Sequence, residues 1–290
     1  MRRSRLLLLG ATLVAGLVTV PVVALPVAPA HAVAPTVVES EPSPTNLDGV
    51  KEITVECPGS FVYGAGGFIT GGGTGRVAIQ AVVPEGSPPT RVRVTAAALG
   101  LVSSAWNVSA WATCGPLTTG LQVVPESLTE SLTQTKEVSP SCPTGMGLYG
   151  TGFRITQGNG NVLIHDVIPG TSVSPKGVTV RATMRPNSGV FWGLTGYAIC
   201  ANRASTMRIE QATTTATSNP TRNIDRICSD SATFAHGVGV QTFSAGDEVD
   251  GRITLSGMAA LNNRSGFAAA GENGTVNENW QLRVYVICSN

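Results

Sequence analysis

Charge is scarce in this chain: only 13% of its 290 residues are Asp, Glu, Lys or Arg, and the formal net charge is +1. A nucleic-acid partner needs a basic patch to meet its phosphates, and none is visible, so nucleic acid is excluded as a partner. Histidine is rarer still, three in all. No CxxC pair or nearby histidine offers zinc its ligands, so neither metal nor other cofactor is expected. A Gly-x-Ser-x-Gly nucleophile elbow is also missing. Beyond the N-terminal segment no stretch reaches the ~20 apolar residues that span a bilayer. Disorder is excluded by the opposite count, since 42% of residues are hydrophobic.

The N-terminal 32 residues read as a secretory signal peptide. Arg2, Arg3 and Arg5 form a basic start, Leu6 to Leu25 is mostly apolar, and Ala30-His31-Ala32 is a small-x-small cleavage site. Pro21 and Pro26 interrupt the apolar run and argue against a retained anchor. The expectation is an exported, soluble chain with no transmembrane anchor after cleavage, running from Val33 to Asn290.

That remainder carries a repeat of about 86 residues. Cys57, Cys142 and Cys228 open three units, and Cys114, Cys200 and Cys288 close them. Three Gly-x-Gly segments follow the opening cysteines and read as turns: Tyr63-Gly64-Ala65-Gly66, Tyr149-Gly150-Thr151-Gly152 and His236-Gly237-Val238-Gly239. No helix follows them to receive a phosphate, so they are not dinucleotide fingerprints. Trp106, Trp192 and Trp280 stand eight residues before the closing cysteines, and Trp111, Tyr197 and Tyr285 three before. The units are placed at 33–118, 119–204 and 205–290.

Local patterns are those of strands. Val77–Val83 and Val162–Ile168 are apolar runs expected to end at Pro84 and Pro169, because proline cannot donate to a ladder. Arg91–Thr95 and Val178–Arg181 alternate at period two. In the closing strand the same alternation puts Trp106, Val108, Ala110, Ala112 and Cys114 on one face, the core, and likewise Trp280, Leu282, Val284, Val286 and Cys288. The other face is polar except for Trp111, Tyr197 or Tyr285, with Ser109, Thr195 and Arg283 beside them.

Six cysteines in an exported chain imply three disulfides. Two pairings respect the repeat: within units (Cys57–Cys114, Cys142–Cys200, Cys228–Cys288), or between units (Cys114–Cys142, Cys200–Cys228, Cys57–Cys288). Loop-closure entropy separates loops of ~60 and ~30 residues by only about half a kcal/mol and does not choose. The within-unit set is favoured because each unit then carries its own staple.

The off-face aromatics Trp111, Tyr197 and Tyr285 are the candidate ligand-binding residues, as ring platforms for a sugar or an apolar partner; the competing reading has them sealing seams between units. Asp247, Glu248 and Asp250, flanked by Gly, could offer oxygens to calcium but do not fit the twelve-residue calcium loop and read as a solvated turn. His165-Asp166 resembles half a catalytic triad, whereas His236 takes the slot of Tyr63 and Tyr149, a packing position.

The pattern Cys-Pro-x-Gly, Gly-x-Gly, Trp-x4-aromatic-x2-Cys, carried by Cys57-Pro58-Gly59 and Cys142-Pro143-Thr144-Gly145 with the closing Trp and Cys, resembles a repeat of secreted actinobacterial proteins without established activity. Cys228-Ser229-Asp230 departs from it. The resemblance implies export and β-architecture and transfers no functional residue. The expected fold is all-β, three units without caps closed into a pseudo-threefold, β-prism-like or sandwich arrangement, with one disulfide each; three independent beads are the rival. The expected role is non-enzymatic and extracellular, binding or assembling at a cell surface through a glycan or a protein. A secreted hydrolase and a purely structural envelope component are the alternatives.

Overall fold

The computed structural model describes residues 34–73, 75–170, 176–204, 206–229, 233–244, 251–274, 276 and 278–290. The signal-peptide segment and the carboxylates Asp247, Glu248 and Asp250 lie outside the described residues.

Among the described residues there are eighteen strands and no helix, six strands in each repeat. Repeat 1 holds β1 (Thr36–Glu39), β2 (Val50–Glu56), β3 (Phe61–Gly71), β4 (Val77–Gly86), β5 (Pro89–Ala98) and β6 (Trp106–Gly115). Repeat 2 holds β7 (Gln122–Ser131), β8 (Thr135–Val138), β9 (Met146–Thr156), β10 (Val162–Pro169), β11 (Val178–Met184) and β12 (Trp192–Asn202). Repeat 3 holds β13 (Arg208–Thr213), β14 (Thr221–Ile227), β15 (Phe234–Ser244), β16 (Ile253–Asn262), β17 (Ser265–Glu272) and β18 (Trp280–Ser289).

No sheet belongs to one repeat. Sheet I runs β1-β6-β3-β16-β17-β14, sheet II β2-β5-β4-β9-β12-β7, and sheet III β13-β18-β15-β10-β11-β8. Each repeat gives its first, sixth and third strands to one sheet and its second, fifth and fourth to the next. The halves join through two residue pairs each: Ala81↔Arg154 and Val82↔Phe153 in sheet II, Asp166↔Gln241 and Val167↔Val240 in sheet III, Gly257↔Phe68 and Met258↔Gly67 in sheet I. Repeat 3 thus returns to repeat 1, and the ring of repeats closes, although each sheet stays open with two edge strands.

The pseudo-threefold axis is built by bulges and glycines. Tyr63, Tyr149 and His236 are each the extra residue at a register shift in β3, β9 and β15. A bulged residue is re-aimed relative to its neighbours, and these three rings meet one another at 5.4, 6.0 and 5.1 Å. The glycine after each permits the approach. A Cβ at Gly64 would stand 1.7 Å from the His236 carbonyl oxygen, one at Gly150 2.3 Å from that of Tyr63, and one at Gly237 2.4 Å from that of Tyr149. At the other end of the strands Arg185 donates from Nη1 to the Leu99 carbonyl (3.1 Å) and from Nη2 to Asn273 Oδ1 (2.9 Å), again one position from each repeat.

The closing strands carry the core as their alternation requires. Trp106, Trp192 and Trp280 are fully buried, and so are the residues that share their face down to each closing cysteine. Over each indole lies a buried cation: Lys51 Nζ 4.9 Å from the Trp106 centroid, Lys136 Nζ 4.9 Å from Trp192, and the Arg222 guanidinium carbon 4.6 Å from Trp280. Each cation also donates to backbone carbonyls, Lys51 to Pro44, Lys136 to Thr129 and Arg222 to Thr215. Such a desolvated cation on an aromatic face contributes roughly 2 kcal/mol. Three disulfides join Cys57–Cys114, Cys142–Cys200 and Cys228–Cys288, the within-unit set, with Cα–Cα distances of 5.6, 5.6 and 5.9 Å.

Two local expectations are corrected. The Gly-x-Gly segments are not turns; they lie inside β3, β9 and β15, where glycine serves close approach of backbone rather than chain reversal. Strand β4 does not stop at Pro84 but pairs on to Gly86, with Pro84 opposite Val92, because its ladder with β9 has already ended at Val82.

Candidate functional site: the cleft on sheet II

The outer faces of the three sheets can be compared position by position. On each, the aromatic of the closing strand stands across from a glycine: Trp111 from Gly66, Tyr197 from Gly152 and Tyr285 from Gly239. A cross-strand partner without a side chain leaves room for a ring to lie down over backbone. The three rings are accordingly not equal platforms: Tyr285 is 2% exposed, and Trp111 and Tyr197 are half-buried. Their expected polar neighbours are occupied or covered. Ser109 is buried, the Thr195 hydroxyl pairs with that of Ser127 at 2.9 Å, and Arg283 donates to Thr213 Oγ1 at 2.8 Å.

Beside each aromatic lies the junction between repeats, and above each junction the fourth strand bulges again. Gln80, Ser256 and His165 are the extra residues, in sheets II, I and III. Because only two pairs hold the junction, the strands part beyond it. In sheet II they open a cleft of about 410 Å³ lined by Glu52, Gln80, Arg93, Glu130, Arg154 and Thr156, among others. Sheet I has a cleft of about 290 Å³ at the corresponding place, lined by Ile69, Ser256 and several glycines. In sheet III His165 stands there, 2% exposed, its Nε2 3.0 Å from Thr183 Oγ1 and its Nδ1 3.4 Å from Asp166 Oδ2. The pair that resembles half a triad is thus packed inside the sheet. A larger hollow of about 650 Å³ lies between Ser139, Ser141, Lys176 and Arg203; residues 171–175, which adjoin it in sequence, lie outside the described residues.

The residue of the third strand at the junction decides the chemistry of each face. In sheet I it is Phe68, which meets Phe267 edge-on at 5.7 Å. In sheet III it is Gln241, whose Oε1 accepts from the Tyr285 hydroxyl (2.9 Å) and Arg283 Nη1 (3.3 Å). In sheet II it is Arg154, exposed and without an ion pair among the described residues. Its neighbour Arg93 is spent: Nε donates to Glu85 (2.6 Å) and Nη1 to Glu52 (3.0 Å). Burial pushes the Tyr197 phenol above its ordinary pKa, while the charges of Arg154 and Arg93 and a side-chain hydrogen bond with Arg154 pull it part of the way back. Thr95 Oγ1 donates to Glu52 Oε2 at 3.1 Å and Thr156 Oγ1 to Glu130 Oε1 at 3.1 Å. Glu130 reaches Thr156 across β12 where residue 193 is glycine; a Cβ there would stand 2.5 Å from the Thr156 hydroxyl. The result is a shallow cleft with hydroxyls, carboxylates and one guanidinium, Arg154, that has no carboxylate partner among the described residues and hydrogen-bonds the half-buried Tyr197 at its side.

Sequence reasoning singled out Tyr197 and missed Arg154, Arg93, Glu52 and Glu130. Arg154, Arg93 and Glu130 do not recur at the repeat period, so alignment on shared landmarks passes over them; Glu52 recurs once, as Glu137, five residues before the opening cysteine. It also missed Lys51, Lys136 and Arg222, which do recur, each six residues before an opening cysteine.

What these features define is an all-β, disulfide-stapled ring of three strand-exchanged repeats. No known family model matches the chain, and no curated protein is detectably similar to it.

Proposed function

We propose that the protein is an exported, non-enzymatic binding protein that holds a glycan in the cleft of sheet II. One observation carries the reading: at three equivalent junctions the third strand places Phe68, packed on Phe267, in sheet I and Gln241, bonded within its own sheet, in sheet III, while in sheet II it places the exposed Arg154, with no carboxylate partner among the described residues, beside a tyrosine ring and a polar cleft. Sugars are recognised by an aromatic flank with a few placed polar groups. Three disulfides fit an oxidising compartment, which supports export. The burial of His165 and Asp166 supports a packing role for them rather than the hydrolase alternative.

The test is a glycan-array screen of the exported protein beside two variants. Tyr197→Ala is expected to lose retention, and Trp111→Ala, the corresponding change on sheet I, to keep it. Equal loss in both, or retention in both, contradicts a site on sheet II.

A further inference from the structure

Resting on that reading, we infer that the ligand is an acidic saccharide whose oxyanion, a uronate carboxylate or a sulfate ester, is taken by Arg154. The three faces supply the argument. At this slot repeat 1 places Phe68 and repeat 3 places Gln241, both satisfied by their own sheet. Only repeat 2 places a cation there, on an exposed strand position of β9 opposite the small Ala81.

Charge bookkeeping at the site points the same way. Glu85 is held by Arg91 (2.8 Å) and Arg93 (2.6 Å), and Glu52 by Arg93. Glu130 accepts from Thr156. Among the described residues every carboxylate near the cleft therefore has a donor, and Arg154, whose side chain hydrogen-bonds Tyr197, is the cation left without an acid. An arginine fork matches a planar or tetrahedral oxyanion through paired N–H donors. The Tyr197 ring beside it and the hydroxyls of Thr95 and Thr156 suit the sugar that bears the anion, whereas a bare inorganic anion would leave them unused.

The experiment is calorimetric titration of the full exported protein, and of its Arg154→Gln variant, with four probes: a galacturonate hexamer, its methyl ester, a sulfated hexasaccharide and neutral xylohexaose. Gln is the residue that repeat 3 holds at this slot, and Arg154 is exposed, so the variant is expected to melt with the parent. If the carboxylate is the anion, the galacturonate binds the parent at least tenfold more tightly than the ester does, and Arg154→Gln removes that difference. If the sulfate ester is the anion, the same tenfold loss appears with the sulfated probe instead. Equal binding of neutral and acidic probes, unchanged by Arg154→Gln, overturns the inference and leaves the glycan reading standing. No binding of any probe at millimolar concentration overturns both.

Discussion

Sheets I and II have the same construction, strand for strand, and differ in what they show to solvent. Both place a half-buried aromatic across from a glycine, both join two repeats through two residue pairs, and both open a cleft above a bulge. Sheet I lines its cleft with Ile69, Val77, Ser256 and glycines and packs Phe68 on Phe267 at the junction; sheet II lines its cleft with Arg93, Arg154, Glu52 and Glu130. The inner faces carry the repeated residues, the tryptophans, their cations and the cysteines. The outer faces carry the differences. A scaffold of three copies thus carries three different outer faces, and threefold structure does not imply threefold surface chemistry.

The comparison presumes that the copies depend on one another, and the largest expected effect follows from that. An excised repeat covering residues 33–118 retains only half of two different sheets and exposes the axial faces of β3 and β4. It should show no cooperative thermal transition, and a transition matching the intact protein would return the account to independent beads.

Next in size is the axis. Gly64→Ala drives a methyl group into the His236 carbonyl oxygen, whereas Gly49→Ala meets nothing within 4 Å. Overpacking costs about 1–3 kcal/mol and occasionally more, and an approach of 1.7 Å to backbone stands at the top of that range, so the first variant should melt far below the parent and the second alongside it. Removing the Cys228–Cys288 bridge by double substitution to Ala comes third, at about 2–4 kcal/mol in urea unfolding.

The fourth effect exploits the difference between His236 and the two tyrosines of the axial cluster. Burial holds the imidazole at a pKa of about 4, and Ser289 hydrogen-bonds its Nε2 at 2.8 Å. The rings facing it are Tyr63 and Tyr149, whose phenols burial raises above their ordinary values, so both stay neutral in acid. Between pH 6.5 and about 4 the unfolded chain binds a proton that the folded chain refuses, so stability falls as pH falls through that window and levels below it. From pH 7 to 4.5 the loss attributable to His236 is about 2 kcal/mol. His236→Tyr, which restores the residue of the other repeats, should remove that slope. Glu210 acts lower: burial alone would raise it, but Arg226, Ser229 and Arg208 hold it at about 2, so its contribution is lost only below pH 4.5.

Much of this construction was legible in the sequence, and what was not has physical causes. Period-two alternation placed the tryptophans and cysteines on the core face because one face of each closing strand is wholly buried. The repeat period located the units but not their partners: nothing local in Val77–Val83 says that its neighbour is β9 of the next repeat. Gly64-Ala65-Gly66 reads as a turn by propensity, while its true reason is the backbone of repeat 3 less than a van der Waals distance away. Bulges at Tyr63 and Gln80 add one residue and leave no pattern of their own. The aromatics Trp111, Tyr197 and Tyr285 were found because they recur; Arg154 was not, because it stands in one copy alone.

The central claim, one binding face on a threefold frame, is tested most directly by amide chemical-shift mapping of the labelled protein titrated with the galacturonate hexamer. The account predicts saturation at one ligand per chain, with perturbations centred on Arg154, Thr156, Thr95 and Tyr197 and none of comparable size around Phe68 or Gln241. Equal perturbation at the three junctions, or saturation at three ligands per chain, would contradict it.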